Sequence, residues 1–202
     1  MSENKTLIKI SNEESSKLPP LVFSGEIIVV DKPEQIEAAC RDIARYPIIG
    51  FDTETRPSFK AGVSYKVALL QLSTPLKCYL FRLNKIPLDR AILSILERKD
   101  IIKLGADVLG DLRSLRQLRN FKENGFVDLQ KIIEQYGIGE KSLRKMSALV
   151  LGYRISKAQR LSNWEAVTFT PQQQQYAATD AWACIEIYNK LQKMQKIQKG
   201  NI

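Results

Sequence analysis

Two carboxylates one residue apart, Asp52 and Glu54 in the stretch FDTET, follow the apolar run YPIIG. Side chains on a strand alternate faces, so both acids point the same way. Like charges at that spacing repel unless a cation is held between them; the plainer alternative is a pair of solvent-facing acids on an edge strand. Asp111 lies just beyond the apolar segment IIKLG, near the start of a helix, where it would serve either such a site or the helix macrodipole. Asp107, four residues earlier, is the better candidate for capping that helix. Asp180, in YAATDAW, is flanked by Ala177, Ala178, Ala181 and Ala183, a closely packing face on which an unpaired acid is costly. A neighbouring Lys or Arg would satisfy it as well as a bound cation. Tyr176, one helical turn before Asp180, shares its face and either packs in the core or turns its hydroxyl toward a water beside that acid. Four oxygen donors without imidazole or thiolate suit hard ions such as Mg²⁺ or Mn²⁺. Two such ions about 4 Å apart would clamp the attacking and leaving oxygens of a phosphodiester.

Composition narrows the chemistry. The 202 residues contain no histidine, which removes Ser-His and Cys-His triads, imidazole zinc sites and an imidazole base. Cys40, Cys78 and Cys184 are odd in number, far apart and set among apolar neighbours, which suits reduced core thiols; with no CxxC pair, a thiolate zinc site is not expected. An excess of 31 Lys and Arg over 22 Asp and Glu gives a net charge of +9, which favours a polyanionic partner such as nucleic acid. The apolar runs EIIVV and VALLQL are far shorter than the roughly 20 residues a membrane span needs. No membrane association is therefore expected, and a cytoplasmic location is. GADVLG has the glycine spacing of a phosphate loop but lacks the following Lys-Ser/Thr, so no nucleotide cofactor is expected.

The acids need a frame. Residues 1–20, polar and ending in Pro-Pro, read as a loose tail, followed by one domain over residues 21–196 and a short tail over 197–202. GEIIVVD, PIIGFDTET, KVALLQLST, KCYLFRL and IIKLGAD read as strands, with a turn at Pro75. PEQIEAACRDIARY, LDRAILSILER and VLGDLRSLRQLRN read as helices, the first opened by Pro33. The last third is expected to be helical throughout, with Gly137 and Gly152 as C-terminal stops. This alternation points to a single α/β domain with a mixed sheet.

At this point the motifs resemble a known family. FDTET is similar to the first motif, GADVLGDL to the second and YAATD to the third of the DEDD 3′–5′ exonucleases, in the branch whose third motif carries tyrosine. LSNWEAVTFTPQQQQYAATDAW resembles the Werner-type and ribonuclease D group most closely. The resemblance implies a ribonuclease H-like fold, two divalent ions (Mg²⁺ or Mn²⁺), and hydrolysis from a free 3′ end that releases 5′-mononucleotides. It implies that Asp52, Glu54 and Asp180 hold one ion, that Asp52 and Asp111 reach the second, and that Tyr176 and Glu54 hold the attacking water. Substrate contacts are then expected from Thr53, Arg56, Phe59, Lys60, Leu109, Lys157, Arg160 and Trp164, gripping a single strand by stacking and phosphate contacts. With no helicase region and no small C-terminal helical domain in this sequence, affinity is expected to come from the one domain. DNA is the favoured substrate, a ribonuclease D-type exoribonuclease the alternative, and a non-catalytic nucleic-acid-binding module the reading from another class.

Overall fold

The computed structural model describes residues 7–200, with side chains to residue 195. Its centre is a six-stranded mixed sheet in the order β1-β4-β3-β2-β5-β6, formed by β1 (Glu26–Val30), β2 (Ile48–Thr55), β3 (Val67–Ser73), β4 (Lys77–Arg82), β5 (Ile102–Gly105) and β6 (Phe126–Asp128). The β2-β3-β4 meander is antiparallel, and β1, β5 and β6 add in parallel to its two sides. All seven residues of β3 are buried, as a strand covered on both faces must be. The hairpin between β3 and β4 closes on Thr74, whose hydroxyl accepts from the amide N–H groups of Leu76 and Lys77.

Helices cover both faces. On one, α2 (Ile36–Ile43), α3 (Arg90–Glu97) and α4 (Val108–Arg116) pack Ile36, Ile43, Ile92, Leu96 and Leu112 against Phe51, Leu70, Leu72 and Phe81. On the other, α7 (Pro171–Gly200) lays Ala177, Ala178 and Ala181 over Leu69 and Leu80. Beyond this contact α7 packs with α6 (Leu143–Leu151) and α5 (Leu129–Ile132) around Leu104, Met146, Ile185 and Ile187. The three cysteines are free and buried. No helix among the described residues is long and apolar enough to cross a membrane.

Several expectations need correcting. The stretch from residue 7 to residue 20 is not a loose tail: Ser11 and Glu14 form a capping box on α1 (Asn12–Ser16), Ile8 bridges to Ile138, and Pro20 bridges to Arg154. Residues 1–6 lie outside the described part. The last helix continues past residue 196 to Gly200. VDLQK does not begin as helix: Phe126–Asp128 extends the sheet, and the Asp128 side chain then caps α5 by accepting from the Gln130 N–H at 2.9 Å. Pro33 opens a 3₁₀ turn, Pro33–Gln35, before α2 begins. Gly137 and Gly152 do end their helices, at φ 77° and 76°, a backbone region that costs glycine little.

Candidate active site

The site is made possible by an unequal pair of strands. The parallel pairing of β2 with β5 runs from Ile48 opposite Ile102 to Gly50 opposite Leu104 and stops, so residues 51–55 pair with β3 alone. Helix α4 follows β5 almost at once and puts Asp111, in its first turn, beside that open edge. There the Thr53 hydroxyl donates to Asp111 Oδ1 at 2.6 Å. Thr53, half-buried at that edge, thus holds a carboxylate through its hydroxyl. Asp107 occupies the position before α4 in a left-handed conformation, φ 64°, and its side chain makes no capping bond, contrary to expectation. Its carbonyl accepts from the Gly110 N–H at 3.0 Å, while the Val108 N–H donates to Asp128 Oδ2 at 3.2 Å.

On the opposite face, α7 comes unusually close to β2. A Cβ on residue 50 would stand 1.9 Å from the Ala181 carbonyl oxygen, so only glycine fits there. The close approach carries Asp180 to the acids of β2. One carboxylate oxygen from each of Asp52, Glu54 and Asp180 falls in a group whose members all lie within 4.8 Å of one another. A register shift between Glu54 and Thr55 ends this arrangement, a common device for re-aiming side chains beside a site.

Such a cluster is electrostatically unstable on its own. Burial, then the Asp180 charge, push the Asp52 carboxyl well above the ordinary carboxylate range. Glu54 is pushed up to about 10 by burial and by Asp52, Asp180 and Asp111, with Arg160 opposing. Asp111 rises to about 8 through burial and Asp52, against the Thr53 hydrogen bond. Asp180 rises to about 7 through burial, with Tyr176 and Arg144 pulling the other way. Burial, followed by Asp180 and Glu54, raises Tyr176 far enough to keep its hydroxyl protonated.

The donor set consists of hard carboxylate oxygens, and two buried ones, Asp111 Oδ2 and Asp180 Oδ1, have no hydrogen-bond partner. Buried acceptors are left unmade only at a cost. These residues fit a hard cation, which would take the orphaned oxygens and offset the repulsion among the acids.

The expected substrate residues divide. Arg56, Phe59 and Lys60 line a cleft of about 580 Å³ together with Tyr65, Leu161 and Asn163. Phe59 is 84% exposed there, and Arg56 lies 4.8 Å over the Tyr65 ring and 3.3 Å from Glu165 Oε2. Leu109 stands exposed on the first turn of α4, and Lys157 and Arg160 are exposed before α7. Trp164 is a correction: it is fully buried, edge-on to Phe169 at 5.5 Å and 6.0 Å from the Tyr176 ring, so it supports Tyr176 and cannot stack on a base.

Two arginines escaped the sequence reading. Arg144, on α6, acts on Tyr176 and Asp180 while its Nε donates to the Ile155 carbonyl at 3.0 Å. Arg82, 1% exposed, donates from its guanidinium to the carbonyls of Ala166 and Val167 and sits 4.1 Å over the Phe169 ring, anchoring the loop that leads into α7. Arg82 ends an apolar strand, but Arg144 carries no local signal: only the docking of α6 on α7 makes it part of the site.

Proteins of known sequence and structure resemble this chain over most of its length. The bifunctional 3′-5′ exonuclease/ATP-dependent helicase WRN of Mus musculus is 33% identical over 200 residues, which is 94% of this chain and 14% of that protein. Exonuclease 3′-5′ domain-containing protein 2 of Drosophila melanogaster is 36% identical over 152 residues, 72% of this chain and 25% of that protein. The chain thus spans a quarter or less of the length of these two curated relatives. Among solved structures, the Aedes aegypti Nibbler EXO domain superposes with a TM-score of 0.77 at 22% identity, covering 95% of this chain and 94% of that one. Escherichia coli RNase D gives 0.75 at 20% identity, over 86% and 46%. Residues 27–196 match the sequence model of the 3′-5′ exonuclease family, and the chain belongs to that family.

Proposed function

We propose that this protein is a metal-dependent 3′–5′ exonuclease that removes mononucleotides one at a time from the 3′ end of a nucleic acid, DNA in preference to RNA. The observation that carries the reading is the meeting of four acids from β2, α4 and α7, two of them with orphaned oxygens. Asp52, Glu54 and Asp180 would hold one divalent ion and Asp52 with Asp111 a second, Mg²⁺ or Mn²⁺ by the hardness of the donors. When bound, the ions supply the positive charge that stabilises the transition state and the acidity that makes water a nucleophile at neutral pH.

The chain's own groups do the positioning. Tyr176, kept protonated, offers a hydrogen-bond donor and acceptor beside Asp180 and Glu54 with which to orient the attacking water. Arg144 and Arg160 place positive charge near that point, where the phosphate must lie. Phe59 and Lys60 in the 580 Å³ cleft suit a flexible strand gripped by stacking and by its phosphates, without sequence readout. The Werner-type character of the segment from Leu161 to Trp182 supports DNA.

The test is a gel time course on 5′-labelled DNA and RNA of one sequence, as single strands and 3′-recessed duplexes, with Mg²⁺, Mn²⁺ or EDTA. A ladder shortening from the 3′ end, abolished by EDTA and faster on DNA, is the expected result. Binding without shortening under either metal would overturn the enzyme reading, and faster loss of RNA would overturn the substrate preference.

A further inference from the structure

Gln71 lies in the middle of β3, fully buried, and neither its side-chain amide nitrogen nor its amide oxygen has a hydrogen-bond partner. Glutamine is rarely buried in that condition, because both halves of the amide lose water and gain nothing. The sheet register says what is within reach. Gln71 stands directly opposite Asp52 on β2, and directly opposite residues of an antiparallel pair share a face with their Cβ atoms about 4.5–5.5 Å apart. On its other side it faces Leu80 of β4, and two residues along β3 on the same face are Leu69 and Ser73. The Ser73 hydroxyl is already given to the carbonyls of Thr74 and Lys77. Above Leu69 and Leu80 lie the alanines of α7. Of the residues paired with Gln71 across the ladder, Asp52 is the one that carries an acceptor side chain, and Asp180, whose Oδ1 is also unpartnered, joins it from α7.

We infer that Gln71 is a positioning residue for Asp52: its amide, unpartnered in the metal-free site, is placed to donate to the Asp52 carboxylate when a cation is bound and thereby to fix which lone pairs face that cation. The inference rests on the metal-site reading above. A ligating carboxylate with no outer partner can swing about its last torsion; one held from behind cannot, and the loss of such partners typically weakens metal binding or activity by 10–100-fold. The strand pairing makes Gln71 well suited to this part, because its backbone is locked to that of Asp52 by the ladder itself.

The experiment uses Gln71→Met, unbranched and of similar size, with Gln71→Asn as a second variant that keeps an amide but retracts it from Asp52. Three quantities are read on each protein: the melting temperature in EDTA, the Mn²⁺ concentration that gives half of the metal-induced rise in melting temperature, and kcat and KM on a single-stranded DNA. For Gln71→Met the melting temperature in EDTA is expected to hold or rise, since two orphaned polar atoms are gone, while the half-effect Mn²⁺ concentration rises about 10-fold and kcat falls about 10-fold. KM should stay within about twofold, and Gln71→Asn should reproduce the loss of metal affinity. Wild-type metal response and kcat in Gln71→Met would overturn the inference, as would a variant whose only change is a lower melting temperature. If the wild-type protein itself shows no melting response to Mn²⁺ or Mg²⁺, the metal-site reading fails first, and the two failures are told apart.

Discussion

The Thr53 hydroxyl donates to Asp111 Oδ1 at 2.6 Å, joining a strand residue that points away from α7 to the one acid that does not come from β2 or α7. Thr53→Val keeps the shape and removes the donor. Both oxygens of Asp111 are then orphaned, at a cost of about 1–3 kcal/mol for the newly unpaired acceptor. The expected result is a kcat about 10-fold lower, with a lower melting temperature in EDTA. Unchanged kcat would mean that Asp111 is held in place without Thr53.

Asp180→Asn separates function from stability. It should abolish turnover, by on the order of 10³-fold, because loss of a ligand to the ion removes several kcal/mol of charge stabilisation. In EDTA, however, the variant should melt several degrees higher than the wild type, since a buried carboxyl has been relieved of repulsion from Asp52 and Glu54. Paired activity and melting measurements check both halves.

Acidity gives a third expectation. The folded carboxyls titrate at about 7 for Asp180, about 8 for Asp111 and about 10 for Glu54, whereas the unfolded chain releases these protons near pH 4. Between those limits the folded state binds more protons, so the stability of the metal-free protein falls as pH rises from about 4 through 7 to 10. A cation offsets the carboxylate charge, so the gap between melting temperatures with Mn²⁺ and with EDTA should widen between pH 6 and pH 9. A gap independent of pH would contradict the clustering of these acids.

Tyr176→Phe retains the ring that packs against Trp164 and loses the hydroxyl. Removing one oriented hydrogen-bond group at a reacting centre costs about 10²–10³-fold in kcat. Because the hydroxyl stays protonated, the high-pH limb of the rate profile should keep its position in the residual activity. Mn²⁺ affinity, read by melting, should be unchanged.

Gly50→Ala tests the helix approach. The added methyl would stand 1.9 Å from the Ala181 carbonyl oxygen, a backbone atom that cannot step aside alone. Overpacking of this kind costs about 1–3 kcal/mol, and the forced shift of α7 should remove activity out of proportion to that loss. Melting and turnover on one preparation decide it.

The pairing of Asp52 with Glu54 and of Tyr176 with Asp180 was legible because those spacings along β2 and α7 are local, whereas Asp111, on α4, was legible from its place just beyond the apolar segment IIKLG and from the resemblance of GADVLGDL to a family motif. The sheet and most helices were legible for the same reason: apolar periodicity along KVALLQLST or LDRAILSILER belongs to the segment itself. What escaped depends on tertiary neighbours. The strand from Phe126 to Asp128 is only three residues long, too short to show an alternation, and exists because β5 offers it an edge. Trp164 resembles a stacking residue in sequence, yet its surroundings of Phe169, Tyr176 and the α7 alanines make it core. The bond from Thr53 to Asp111 and the place of Arg144 beside the site carry no signal apart from the elements that later dock there. The polar stretch before residue 21 misled because its few anchors, Ile8 and Pro20, find partners more than a hundred residues away.

The order in which the acids occur along the chain has a consequence for the cell. Asp52, Glu54 and Asp111 are all made before the helix that brings Asp180, and that helix closes the site only by laying Ala181 on Gly50. A chain still emerging from the ribosome therefore carries three of the four acids and no finished centre. The centre is complete only once the long helix that carries Asp180 has left the ribosome and docked on β2, whatever the order in which the rest of the sheet has formed.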